Sequence, residues 1–257
     1  MRYISHLAAE IMLTNTINSP IIVIGMHRSG TTLVAEALNK SGIFMGVFRE
    51  HNGEALHFLS LNQQILAAAG ADWINPSTPK NDQDLPFTAN QLYAEHIKAV
   101  WQNPWRLRAC HAMRWGWKDP RNTFTLPVWL KLFPNAKVLH VVRDGMAVAQ
   151  SLKARNSISG EVHDARLDDL AFNFRLWEKY VSQGISYRDF LHNNYHQIKY
   201  EALVENDNSE LITLNRFLGV DLRAHLHIKQ KSHQAAPPAL QALASNSAVY
   251  NKLGYGD

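Results

Sequence analysis

Hydrophobic positions along this chain follow two alternating patterns: short β-branched runs and longer stretches of helical period. Ile21-Ile22-Val23-Ile24, bounded by Pro20 and Gly25, reads as a short buried strand. Leu33, Val34, Ala37 and Leu38 then recur at helical spacing and predict a helix over 31–40, closed by Ser41-Gly42. After the Asn52-Gly53 turn, Leu56, Leu59, Leu61, Ile65 and Leu66 predict a helix that Glu54 opens and Gly70 ends. The proline-rich, polar residues 72–87 read as a long loop of the kind that forms lids or acceptor walls, and 88–101 as a helix. A strand running into a charged turn follows at 114–121, a helix at 122–132, an apolar strand at 136–143 and a helix at 146–154. Further helices are expected over 167–190 and 208–218, a short leading one within 1–19, and a helix-like run in the tail beyond Pro237-Pro238. Strands alternating with helices predict an α/β protein, a three-layer parallel sheet flanked by helices, as one domain over 1–257.

Composition narrows the picture. With 257 residues, 46% of them hydrophobic, the chain is long enough to bury a sizeable core. A net charge of +4 suits an anionic ligand but lacks the dense Lys/Arg blocks of a nucleic-acid tail, so no nucleic-acid partner is expected. A single cysteine, Cys110, excludes an intramolecular disulfide and a multi-cysteine zinc site, and it reads as a small buried apolar residue in a reducing compartment. No membrane span or signal peptide is evident, which points to a cytoplasmic protein. Trp101, Trp105, Trp115 and Trp117 read first as core packing, with an acceptor-pocket wall as the alternative.

Candidate chemistry begins where the first strand ends. Gly25-Met26-His27-Arg28-Ser29-Gly30-Thr31-Thr32 places two glycines at phosphate-loop spacing between a strand and a helix, so backbone N–H groups and the helix N-terminus form an anion cradle. Thr31 stands where nucleoside triphosphatases carry the loop lysine; the cation is Arg28 instead. Glu54 either complements a helix dipole or acts as a general base, with His57 three residues on along the same helical face and His51 a further candidate. Lys118, Asp119 and Arg121 would gather at the carboxyl edge of a parallel sheet, and pairing of Asp119 with Arg121 or Lys118 is the structural alternative. Arg143 ends a strand and Ser151 follows eight residues later on the next helix, so both can converge on one phosphate.

Together, Arg28-Ser29-Gly30-Thr31-Thr32 and Val141-Val142-Arg143-Asp144-Gly145 through Ser151 resemble the two phosphate motifs of the sulfotransferases, enzymes that use 3′-phosphoadenosine 5′-phosphosulfate (PAPS). Lys118-Asp119-Pro120-Arg121 resembles the family's lysine segment, and Tyr200-Glu201-Ala202-Leu203 its adenine-contacting tyrosine segment, with Ala202 replacing an aspartate. The resemblance implies a P-loop-like sulfotransferase fold and in-line sulfuryl transfer without a metal. Arg28, Ser29, Gly30, Thr31 and Thr32 would take the 5′-phosphosulfate, Arg143 and Ser151 the 3′-phosphate and Tyr200 the adenine, with Arg28, Glu54, Lys118 and His57 as the catalytic set. Pro120 occupies the place of the catalytic histidine of the cytosolic small-molecule enzymes, and Lys229-Gln230-Lys231 does not match their Arg-Lys-Gly loop. The carbohydrate and bacterial branches, whose base is a glutamate, are therefore the nearer likeness. A small-molecule, carbohydrate or lipid acceptor is expected, and no segment specifies which. A phosphate-loop kinase is the rival enzyme, and a nucleotide-binding module without catalysis the rival outside enzymes. Whether the tail packs over the cofactor is left open.

Overall fold

The computed structural model describes residues 17–46, 49–50, 52–79, 87–101, 114–158, 163–205, 207–226 and 235–256. Most of the expected leading helix, His51, Trp105, Cys110, the Lys229–Lys231 run and the Trp101 side chain lie outside the described residues, as does the 80–86 part of the long loop.

In chain order the elements are β1 (Ile21–Gly25), α1 (Thr31–Lys40), α2 (Leu56–Ala68), α3 (Ala89–Trp101), β2 (Gly116–Lys118), α4 (Asn122–Leu132), β3 (Lys137–Val142) and α5 (Gly145–Asn156). They continue as α6 (Leu170–Ser186), α7 (Arg188–Leu191), β4 (Tyr195–Lys199), α8 (Tyr200–Val204), α9 (Asn208–Leu218), α10 (Pro238–Ser245) and α11 (Ala248–Lys252). The strands form one parallel sheet in the order β2-β1-β3-β4, with Ile22 beside Trp117 on one side and Val138 on the other. A parallel sheet covered on both faces needs apolar residues on both, and all five residues of β1 are buried.

Alternate strand residues feed separate cores. Ile21, Val23, Leu139, Val141 and Ile198 pack with Val34 and Leu38 of α1 and Leu211, Leu214 and Leu218 of α9. Ile22, Ile24, Val138 and Trp117 pack with Phe58 of α2 and Trp129 of α4, and the rings of Phe58 and Trp117 stack 4.0 Å apart. Trp115 and Trp117 are fully buried, so these two tryptophans are core. Helices α5 and α6 close a third cluster around Phe174, Trp177 and Tyr180, to which α10 and α11 add Leu240 and Tyr250.

Two expectations are corrected, and one element was not anticipated. The helix after Asn52-Gly53 starts at Leu56 with Ala55 as its N-cap, so Glu54 precedes it and does not stand in its first turn. The long helix over 167–190 is divided: a 3₁₀ turn at Ala165–Asp168, then α6, then α7. Residues 195–199 form an edge strand that the hydrophobic pattern did not announce. No helix among the described residues is long and apolar enough to cross a membrane.

Candidate active site

All four strands deliver chemistry at their carboxyl ends, on one edge of the sheet. β1 runs into the glycine loop, β2 ends at Lys118, β3 leads to Arg143, and β4 hands over to Tyr200. Because β1 lies between β2 and β3, the loop has Lys118 on one flank and Arg143 on the other.

The loop is shaped by positive-φ backbone at three positions. Gly25 has φ 140°, Arg28 φ 69° and Gly30 φ 89°. At Gly30 a side chain is also excluded by space, since a Cβ would lie 2.2 Å from the Tyr200 ring. Among the described residues, the N-terminus of α1 has no side-chain cap and no acidic residue in its first turn, whereas α5 is capped by Asp144, whose carboxylate accepts from the Ala147 N–H at 2.7 Å. Helix α1 thus keeps its first amides and its partial positive charge for an external anion. Ser29 is fully buried and its Oγ has no partner among the described residues.

Arg28, Arg143, Ser151 and Tyr200 meet on the β3 side. Arg28 Nε donates to Ser151 Oγ at 3.0 Å, Arg143 Nη1 donates to the Arg28 carbonyl at 3.0 Å, and the Arg143 guanidinium lies 4.8 Å from the Tyr200 ring centre. Trp177 Nε1 holds the Arg143 carbonyl at 3.0 Å, and Arg143 Nε is buried without a partner among the described residues. A cation with a spare buried N–H, a hydroxyl and an aromatic face are groups of the kinds that can hold a phosphate next to a base.

On the β2 side, Lys118 Nζ donates to Glu54 Oε1 at 2.6 Å, to the Asn52 carbonyl at 2.6 Å and to Thr32 Oγ1 at 3.3 Å. Lysine and glutamate are 1% and 3% exposed, a fully desolvated ion pair. Burial lowers the Lys118 ammonium's pKa, and the carboxylate of Glu54 pushes back. Among the described residues Glu54 Oε2 is buried with no partner, so one carboxylate oxygen is pinned and the other is not.

His57 does not join this pair. Among the described residues no hydrogen bond links it to Glu54; it faces the carboxylate of Glu95 and the buried ring of His96 on α3, and its own ring packs edge-on against Phe58. With Glu54 ahead of the helix, the three-residue spacing no longer puts the two on one face. Asp119 pairs with Arg121 at 3.0 Å, the structural alternative for that residue.

Two groups escaped the sequence reading. Asn62 of α2, fully buried, donates to Asp119 Oδ2 at 2.9 Å and Asn122 Oδ1 at 2.8 Å, and accepts from Thr125 Oγ1 at 2.6 Å and Trp129 Nε1 at 2.9 Å. It thereby locks the turn after Lys118; a lone asparagine in an apolar helix gave no signal of this. His27, in the loop itself, is 8% exposed with its ring 4.5 Å from that of Trp73 and, among the described residues, no partner for Nε2. Burial, then the charges of Arg121, Lys118, Arg155 and Arg28, hold it well below the usual histidine pKa and therefore neutral.

Residues 20–224 match the model of the sulfotransferase family. Among solved structures, the chain is similar to the sulfotransferase domain of the Synechococcus PCC 7002 olefin synthase, at 18% identity and a TM-score of 0.53, covering 92% of this chain and 96% of that one. It is similar also to a sulfotransferase from Alicyclobacillus acidocaldarius, at 15% identity and a TM-score of 0.52, covering 93% of this chain and 96% of that one. No curated protein matches it in sequence.

Proposed function

The chain belongs to the sulfotransferase family, and we propose that it takes its sulfuryl group from PAPS and passes it to a hydroxyl or amine acceptor. The observation that carries the choice of donor is the meeting of Arg28, Arg143, Ser151 and Tyr200 beside the uncapped end of α1. A triphosphatase loop needs one anion cradle, while a 3′,5′-bisphosphorylated adenosine needs two anion places and an aromatic face. PAPS, when bound, supplies the activated sulfuryl group and a good leaving group.

The residues then divide the work. The amides at the start of α1, with Ser29, Thr31 and Thr32, orient the 5′ side and stabilise charge without reorganising. Arg28 neutralises the same end. Arg143 and Ser151 hold the 3′-phosphate, and Tyr200 faces the base. Glu54, pinned through Oε1 by Lys118, presents Oε2 to the acceptor and takes its proton, while the Lys118 ammonium faces developing negative charge. His57 is withdrawn from the catalytic set on its position against α3. A small-molecule, carbohydrate or lipid acceptor and a cytoplasmic setting belong to the same proposal.

Labelled PAPS incubated with the protein and a panel of hydroxyl and amine acceptors should give labelled product. Binding should favour adenosine 3′,5′-bisphosphate over ADP and ATP. Magnesium-dependent ATP hydrolysis with no preference for the bisphosphate would overturn the proposal in favour of a kinase-like enzyme.

A further inference from the structure

The C-terminal segment lies beyond the 20–224 family match, yet it is tied to the nucleotide end of the site. Tyr250 donates its phenol to Asp144 Oδ2 at 2.7 Å, and Tyr255 donates to Glu201 Oε2 at 2.8 Å. The two carboxylates belong to the chain neighbours of Arg143 and Tyr200. They are also linked to each other, since the Asp144 N–H donates to Glu201 Oε1 at 2.9 Å. The other Asp144 oxygen caps α5, the helix that carries Ser151. A closed chain therefore runs Tyr250, Asp144, Glu201, Tyr255, and the two tyrosine rings complete it at 5.5 Å.

Packing holds the segment in place. Tyr250 is 2% exposed, with ring contacts to Phe174 and to Trp177, the residue that holds the Arg143 carbonyl. Lys199 sits 4.7 Å over the Tyr255 ring, and Ser247 is bonded to Glu178 of α6. Burial, helped by the carboxylates, pushes both phenol pKa values up, so both hydroxyls remain donors.

We infer that residues 247–256 are a positioning clamp for the donor: Tyr250 and Tyr255 fix the β3–α5 and β4–α8 turns relative to each other and so set the spacing of Arg143, Ser151 and Tyr200 around the 3′-phosphate. This rests on the PAPS reading. Neither tyrosine touches the donor; both act through Asp144 and Glu201.

The test compares calorimetric affinities for adenosine 3′,5′-bisphosphate and adenosine 5′-phosphate, which lacks the 3′ group. In the Tyr250→Phe/Tyr255→Phe double variant the preference for the bisphosphate should fall roughly five- to tenfold, the scale of lost charge-assisted hydrogen bonds. Leu253→Ala, which loosens the same segment without removing a phenol, should lower thermal stability and leave the preference intact. If the double variant does not fold, Tyr255→Phe alone should show a smaller fall in the same ratio. A preference unchanged in the tyrosine variants, or one that falls equally in Leu253→Ala, overturns the clamp while leaving the donor assignment standing. A wild-type protein without the preference overturns the donor assignment, and the clamp with it.

Discussion

Glu54 has two oxygens in different situations, and substitution separates them. Glu54→Gln keeps the shape and a partner for Lys118, so bisphosphate affinity should stay within about twofold while turnover drops by roughly 10²–10⁴, the usual range for losing a general base. Glu54→Ala removes the partner as well. Lys118, 1% exposed, is then a buried charge without its counterion, and urea denaturation should show a loss of about 3–5 kcal/mol. Arg143 answers a different question: Arg143→Ala should weaken adenosine 3′,5′-bisphosphate by roughly 10–100-fold in titration calorimetry while leaving adenosine 5′-phosphate nearly unchanged. Equal weakening of both ligands would mean that Arg143 supports the loop through the Arg28 carbonyl and does not read the 3′ group.

At the level of elements, the legible parts were those whose signal is local. The strand, loop and helix from β1 to α1 are contiguous in sequence, and so are β3, the turn at Arg143 and the helix bearing Ser151. β4 was missed because it is an edge strand of five residues in which only Tyr195 and Ile198 are buried, leaving no apolar run to see. Glu54 was put in the wrong element because helix propensity does not mark Ala55 as a cap; its position is fixed by Lys118, 64 residues away. Asn62 and His27 depend on partners that come together only in the folded sheet. Helix packing offers its own check. Gly184 lets α6 approach the buried His140 of β3, since a Cβ there would stand 2.4 Å from the imidazole. Gly184→Ala should therefore cost about 1–3 kcal/mol in urea denaturation, by overpacking and not by any change in helix propensity.

For the molecule as a whole, buried histidines set a pH dependence, and His27, held neutral in the glycine loop, is joined by two more. His96, against the Gly116 carbonyl, and His140, bonded to the Tyr195 hydroxyl, are each held down to about 3, burial being the main cause. The unfolded chain protonates near pH 6.5 while the folded one refuses the proton, so their contribution is complete above that value and is lost as pH falls from 6.5 toward 3. Each histidine contributes a slope of about 1.4 kcal/mol per pH unit in that window. Between pH 7 and 5.5 the unfolding free energy should drop by about 4 kcal/mol for the three rings together, and His140→Gln should remove about a third of that dependence; a flat profile would mean that the rings take up protons in the folded state. The cations that keep His27 neutral have one more effect. Arg28, Lys118, Arg121 and Arg155 all act on that loop residue, and Arg143 donates to the Arg28 carbonyl, so positive charge gathers at a single edge of the sheet, only part of it answered by Glu54 and Asp119. Heat resistance will then depend on the buffer: at matched ionic strength a divalent oxyanion should raise the melting temperature more than chloride, and that surplus should shrink in Arg143→Ala.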